Sequence, residues 1–372
     1  MFILNEVSKQ INIPDLDAVA KSHGEKVIAH ICHEIQQAGS ISFARFMELA
    51  LYAPGLGYYA AGAHKLGPEG DFVTAPEISP LFSKCVANKC EQVLSQIKNS
   101  SILELGAGTG KMASDILAHL SGLNKLPEYY FILEVSADLK KRQQELLKKT
   151  SPEFFSKIKW LSALPENFSG VILANEVIDA IPVHRFKIKN NELFEIKVDY
   201  QNACFAEVYD LPNKELKEAI KDVDLPENYE SEINLNLPAW IDALAHTLKQ
   251  GEMVFIDYGF PQHEFYHPQR NRGTLMCHYQ HQAHDNPYIL VGLQDITAHV
   301  NFSQLGHALE AAGCEVLGFD NQANFLIDYG LIDELQAATT PQNHLNLAQQ
   351  VKILTLPSEM GDLFKVMIAK KS

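Results

Sequence analysis

Glu104, Gly106, Gly108 and Gly110 stand at alternate positions in the run SILELGAGTGKMASDIL, residues 101–117. Glycines so spaced let a backbone turn tightly and approach a ligand that a Cβ would push away. Two phosphate-binding arrangements fail on spacing. A P-loop needs glycine at 105 and Ser or Thr at 112, where the chain has Leu105 and Met112. A dinucleotide fingerprint needs its third glycine at 111, which is Lys111. The E-x-G-x-G-x-G pattern suits S-adenosylmethionine (SAM) instead. The glycines admit its methionine part, and the N-terminus of the helix that follows offers unpaired N–H groups to a carboxylate.

A ribose diol needs acceptors at the end of the next strand, about 20 to 30 residues on. YYFILEVS supplies Glu134 there, and VILANEVIDAIP places Asn175 and Glu176 at the end of a later strand. In open α/β sheets ligands bind outside the carboxyl ends of the strands, so these residues converge on one crevice.

The elements that must position them follow from periodicity. After a predicted helix near 80–98, the apolar runs SILEL, YYFILEV, IKWLS and GVILANE alternate with helical patterns, the βαβ signature of a doubly wound parallel sheet. Two helices are predicted earlier. Val27, Ile28, Ile31 and Ile35 form one stripe with Gly39 as its stop, and Ser42 caps a second helix that Pro54-Gly55 ends. The Gly- and Pro-rich stretch 55–80 reads as a long functional loop. A hairpin turning at Asn190-Asn191, followed by an acidic segment, reads as an insertion. LPAWIDALAHTLKQGEMVFIDYG is a helix capped near Gly251 and then a strand; GTLMCHYQHQ is a strand, FSQLGHALEAAG a helix and LFKVMIA a closing strand.

Composition limits the function classes. Thirty-one Lys and Arg against 46 Asp and Glu give a net charge of −15, which repels nucleic acid and favours a small molecule or a basic protein as partner. Six cysteines without a C-x-x-C pair suggest neither a disulfide framework nor a zinc knuckle. The start MFILNEVSKQINIPDLD lacks the features of a signal or transit peptide, and no run of about 18 apolar residues is present, so a cytoplasmic location without a membrane span is expected. His278, His281 and His284 would alternate faces on a strand, which argues against one metal collecting all three. His281 or His299 is a candidate for lining a substrate groove.

GDFVTAPEISPLF (70–82), EVSADLKKRQ (134–143), ANEVIDAIPVHRF (174–186), IDYG (256–259), RGTLMCHYQHQAHDNP (272–287), GLQDITAHVNF (292–302) and MGDLFKVM (360–367), with the glycine run, span nearly the whole chain. On these segments the sequence resembles the MidA-like family of class I SAM-dependent methyltransferases. The resemblance implies an α/β fold: a Rossmann-like class I sheet with an N-terminal helical extension and an inserted α+β subdomain. The expected divisions are a helical region and lid loop at 1–98, a SAM-binding core at 99–185, an insertion at 186–236, and the rest of the core with substrate-groove elements at 237–372. SAM is the implied cofactor, held by Glu104, Gly106, Gly108, Gly110, Glu134 and Asn175, with Asp71 and Thr74 from the lid loop.

The family's mitochondrial members imply methylation of arginine on a protein substrate. A guanidinium is planar, delocalised and protonated, and carboxylates gripping two of its nitrogens would orient the third. Glu176 is the expected clamp and Asp179 its helper, sharing a face if a helix begins just after the strand. Glu77 either reaches the ligand or caps the following helix. The alternatives are a small-molecule methyltransferase, an assembly factor that binds SAM without essential catalysis, and a nicotinamide oxidoreductase, which the missing third fingerprint glycine disfavours.

Overall fold

The computed structural model describes residues 16–61, 73–336 and 341–372. Its centre is an eight-stranded sheet. Seven of its strands are β1 (Ser101–Leu105), β2 (Tyr130–Leu133), β3 (Ile158–Leu161), β4 (Phe168–Asn175), β5 (Leu248–Phe260), β6 (Glu315–Asn321) and β7 (Phe364–Lys371), and the two-residue strand Val300–Asn301 pairs parallel with the end of β5. The spatial order is β6-β7-β5-β4-β1-β2-β3. The pairs among β5, β4, β1, β2 and β3 are parallel, whereas β7 runs antiparallel to both β5 and β6.

Strands in such a sheet are covered on both faces, so their sequences read as continuous apolar runs. Neighbouring residues accordingly enter different cores. Ile102, Val171, Leu173, Val254 and Ile256 face a cluster that includes Phe82, Ile116 and Leu117. Leu103, Ile172, Ala174, Met253 and Phe255 face Ile241, Leu244 and Leu305 on the other side. Burying each Val, Leu, Ile, Met or Phe among them contributes about 1.5–3 kcal/mol.

The sheet is tightest where glycines meet. Gly251 lies inside β5 rather than at the cap of helix Leu237–Thr247, because the strand begins directly at Leu248. A Cβ on Gly251 would fall 1.9 Å from the Gly170 carbonyl oxygen, and one on Gly170 would fall 1.9 Å from that of Ser101. No side chain fits between these backbones.

The insertion forms a second sheet from His184–Lys189, Glu192–Gln201, Cys204–Asp210 and Glu230–Ile233. Asn190 and Asn191, at φ 54° and 57°, make its predicted turn. The N-terminal region completes this sheet, since Ile41 and Ser42 pair with Val198 and Lys197. Helices Ala18–Ala38 and Phe43–Tyr52 then bury Val27, Ile31, Phe46 and Met47 against Val198, Cys277 and Ile296. Ser42 caps the second helix as expected, its hydroxyl accepting the Arg45 N–H at 3.1 Å. Residues 18–52 thus brace the insertion, while helix Pro80–Leu94 packs on the central sheet.

The strand expected at GTLMCHYQHQ is instead a hairpin. Met276–Tyr279 and Gln282–His284 pair antiparallel across Gln280 and His281, both at positive φ, so His281 is an exposed turn residue. Among the described residues no helix is long and apolar enough to cross a membrane.

Candidate active site

The chain leaves β1 through Gly106 at φ 61°, Gly108 at φ 53° and Gly110 at φ 87°, and enters helix Lys111–Gly122. All three lie in the left-handed region, which costs an L side chain roughly 1–2 kcal/mol. Space is also short at Gly106, where a Cβ would meet Val177 Cγ2 at 3.3 Å, whereas one on Gly110 would only touch Gln143 Cγ at 3.4 Å.

Glu134 follows β2 and is fixed in place. Its Oε1 accepts the Ser136 N–H at 2.9 Å, and its Oε2 accepts the Gln143 side-chain amide at 2.9 Å. The same amide nitrogen donates to the Gly108 carbonyl at 3.0 Å, while Gln143 Oε1 accepts from the Trp160 indole at 2.9 Å. One fully buried glutamine therefore ties the glycine turn to the acid after β2. Its place is legible in spacing, since Leu139, Gln143 and Leu147 share the buried stripe of helix Ala137–Thr150. Glu104 is buried and accepts from the Tyr130 hydroxyl at 2.9 Å; burial pushes its carboxyl up to about 7.

Beyond β4 the expected helix is absent. Glu176 adopts φ 52° and donates its N–H to the Ile256 carbonyl at 2.8 Å, so the chain turns sharply rather than winding on. The two acids do not share a helical face. Asn175 donates to Glu176 Oε1 at 3.2 Å, and its own Oδ1 is buried without a hydrogen-bond partner. The Ala75 N–H also reaches the Glu176 carboxylate. Burial, reinforced by the nearby Asp179 charge, pushes that carboxyl up to about 8.

Asp179 lies behind this wall. Its Oδ2 accepts the Tyr258 hydroxyl at 2.6 Å, and its Oδ1 is buried without a partner. Asp257, an acid within the apolar β5, accepts the N–H groups of Ile178 and Asp179 on one oxygen at 3.0 and 3.2 Å. Burial, with the neighbouring acids, holds the Asp257 carboxyl well above the usual range, and burial raises that of Asp179.

Glu104, the glycine turn, Glu134, Asn175 and Glu176 line one open cleft of about 770 Å³, within the ordinary size of a small-molecule site. Thr74 joins them, whereas Asp71 lies outside the described residues. Glu77 also lines the cleft, where its carboxylate accepts from the Thr109 hydroxyl; the Ser79 hydroxyl caps the following helix instead. Asp179 is not in the wall. Tyr52, Tyr59 and Trp240, which the sequence reading did not single out, are.

His299 sits outside the cleft, with its ring stacked on Phe260 and edge-on to Tyr258, and burial lowers its pKa to about 4. Among the described residues no cluster of three or more His, Cys, Asp or Glu is placed to hold a metal ion.

Residues 85–320 match the family of S-adenosyl-L-methionine-dependent methyltransferases. The chain belongs to that family. A crystal structure of a Burkholderia thailandensis protein bound to S-adenosyl-homocysteine is 40% identical, covers 96% of this chain and 95% of its own, and superposes with a TM-score of 0.93. The mitochondrial protein arginine methyltransferase NDUFAF7 of Danio rerio is 28% identical, over 93% of this chain and 87% of its own length. The human protein of the same name is 26% identical, over 91% and 82%.

This methyltransferase uses SAM, and its residues fit that cofactor. The left-handed glycine turn lines the cleft without side chains, Glu134 is preset at the strand end, and the Asn175 Oδ1, which no protein group bonds, stands beside the cleft.

Proposed function

We propose that the enzyme methylates the guanidinium of an arginine on a protein substrate. The observation that carries this is the acidic lining of the cleft. Among the described lining residues are five glutamates, Glu48, Glu77, Glu104, Glu134 and Glu176, and no Lys, Arg or His. Such a wall attracts a cation and repels anionic acceptors. The names of the zebrafish and human relatives support the same acceptor.

SAM supplies a methyl group on a sulfonium, so the protein's task is to aim a nucleophile at it and exclude water. Glu176 does the aiming. In its ionised form it accepts two guanidinium N–H bonds side by side and leaves the third nitrogen directed along the transfer axis. The left-handed backbone at 176 and the bonds from Asn175 and Ala75 hold the carboxylate in one place. Asp179, tied to Tyr258 behind the wall, is not a second clamp; its like charge raises the pKa of the Glu176 carboxyl and so makes ionised Glu176 depend on the bound cation.

The apolar end of the cleft, with Leu164, Val177, Ile181, Trp240 and Leu244, favours a second reading, a small-molecule acceptor. Incubation with labelled SAM and host lysate separates the two. Label recovered as methylarginine after protein hydrolysis supports the first, and label confined to low-mass compounds supports the second. A cytoplasmic location is part of the proposal and is tested by cell fractionation.

A further inference from the structure

Helix Phe43–Tyr52 ends in a tyrosine, and a second follows at Tyr59. Their rings stack with centroids 5.5 Å apart and planes 20° from parallel. Both hydroxyls are engaged elsewhere. Tyr52 donates to the Ala180 carbonyl at 2.9 Å, and Tyr59 donates to the Asp295 carboxylate at 3.0 Å. What the pair offers the cleft is therefore ring surface, not phenol. Fully buried Tyr58 packs edge-on against Tyr59 at 5.0 Å and fixes its plane.

Two features relate this pair to the acid wall. Ala180 belongs to the turn that begins at Glu176, so the Tyr52 hydroxyl fastens the N-terminal helix to the segment bearing the clamp. Glu48, one helical turn before Tyr52, lines the same cleft and is half exposed. It is pinned by Arg45 at 2.8 Å, which also holds Glu34 through two bonds of 2.7 and 2.9 Å. The cleft thus presents an acid, then aromatic rings, then a second acid. A guanidinium stacks on an aromatic face and is weakly hydrated, so it loses little in passing from one to the other.

We infer that the stacked pair Tyr52 and Tyr59 forms an aromatic wall whose cleft-facing ring surface receives the acceptor's cationic side chain on its way to Glu176 and favours a flat guanidinium. The wall presupposes the guanidinium acceptor proposed above. It makes the N-terminal helices a substrate-recognition element, a role beyond bracing the insertion.

The test titrates N-acetyl-arginine amide, and its neutral counterpart N-acetyl-citrulline amide, into the full chain saturated with S-adenosyl-homocysteine. Wild type is expected to bind the arginine compound in preference to the citrulline one. Tyr52→Leu, which keeps apolar bulk but removes the ring, weakens arginine binding about 3- to 30-fold. Tyr52→Phe restores the ring without the tether and recovers binding to within about threefold. S-adenosyl-homocysteine affinity stays level across the set. If Tyr52→Leu binds the arginine compound like wild type while Glu176→Gln does not, the aromatic wall is overturned and the clamp stands. Equal losses in the Leu and Phe variants make the tether the cause and also overturn the wall. A wild-type protein that treats the two compounds alike removes the guanidinium acceptor and the wall together.

Discussion

Asp257 holds Asp179 by its backbone: one carboxylate oxygen accepts the Asp179 N–H at 3.2 Å and the adjacent Ile178 N–H at 3.0 Å. β5 thereby fixes the course of the turn that leaves β4. Glu176, at the start of that turn, bonds the same strand through the Ile256 carbonyl. The direction of the proposed clamp depends on these two attachments, because φ 52° is a conformation that glutamate does not prefer.

Replacing Asp257 with Ala takes away the acceptor of the buried Ile178 and Asp179 N–H groups, at about 1–3 kcal/mol each, and that of the Tyr258 N–H. Removing a buried carboxyl beside Asp179 and Glu176 offsets part of that cost. A net loss of about 2–4 kcal/mol in urea denaturation is expected, with a larger proportional fall in methyl transfer than in cofactor affinity. Asp257→Asn keeps one accepting oxygen and loses less on both counts.

Gly106→Ala tests the glycine turn. At φ 61°, with Val177 3.3 Å from the new Cβ, the alanine destabilises the turn by roughly 1–2 kcal/mol. Calorimetry should show S-adenosyl-homocysteine binding weakened by about tenfold or more, because 1.4 kcal/mol lost at the turn is already tenfold. Unchanged affinity would move the cofactor away from this turn.

Gln143→Leu fills the same volume but breaks the ties to Glu134, Gly108 and Trp160. Glu134, without the Gln143 bond, can then turn away from the ribose position proposed for it. Cofactor affinity is expected to fall about tenfold, the equivalent of one charge-assisted hydrogen bond, while the rate at saturating cofactor changes little.

Stability should depend on pH through Glu176. Its folded pKa of about 8 stands above the ordinary value, so the folded state binds a proton that the unfolded chain has released. Between about pH 4.5 and 8 the unfolded chain holds fewer protons, and stability falls as pH rises through the folded value. Thermal unfolding of the cofactor-free protein should show this slope, and Glu176→Gln should flatten it, being more stable than wild type near pH 8 and comparable near pH 5.

The glycine turn and the acids at the strand ends were legible because each sits where an apolar run stops, and spacing alone excluded two phosphate motifs. The alternation of runs likewise carried the central sheet. What was not legible depends on long-range contact. The turn after β4 follows from the Asp257 and Ile256 bonds, which lie some 80 residues away in the chain. Asp179 therefore sits behind the wall instead of one helical turn from Glu176. Gly251 marks a close approach of three strands, which a one-dimensional pattern reads as a cap. The join of residues 41–42 to the insertion sheet needed the three-dimensional pairing. An acid inside MVFIDYG and a glutamine on a buried stripe were the local signs of Asp257 and Gln143.

The most direct measurement compares wild type and Glu176→Gln for two quantities in parallel: S-adenosyl-homocysteine affinity, and methylarginine formed in host protein from labelled SAM. The expected result is affinity within about threefold and methylarginine reduced at least a hundredfold, as for the loss of a charge-assisted bidentate contact made at the reacting group. Methylarginine formed at the wild-type rate by Glu176→Gln would contradict the assignment of that residue as the guanidinium clamp.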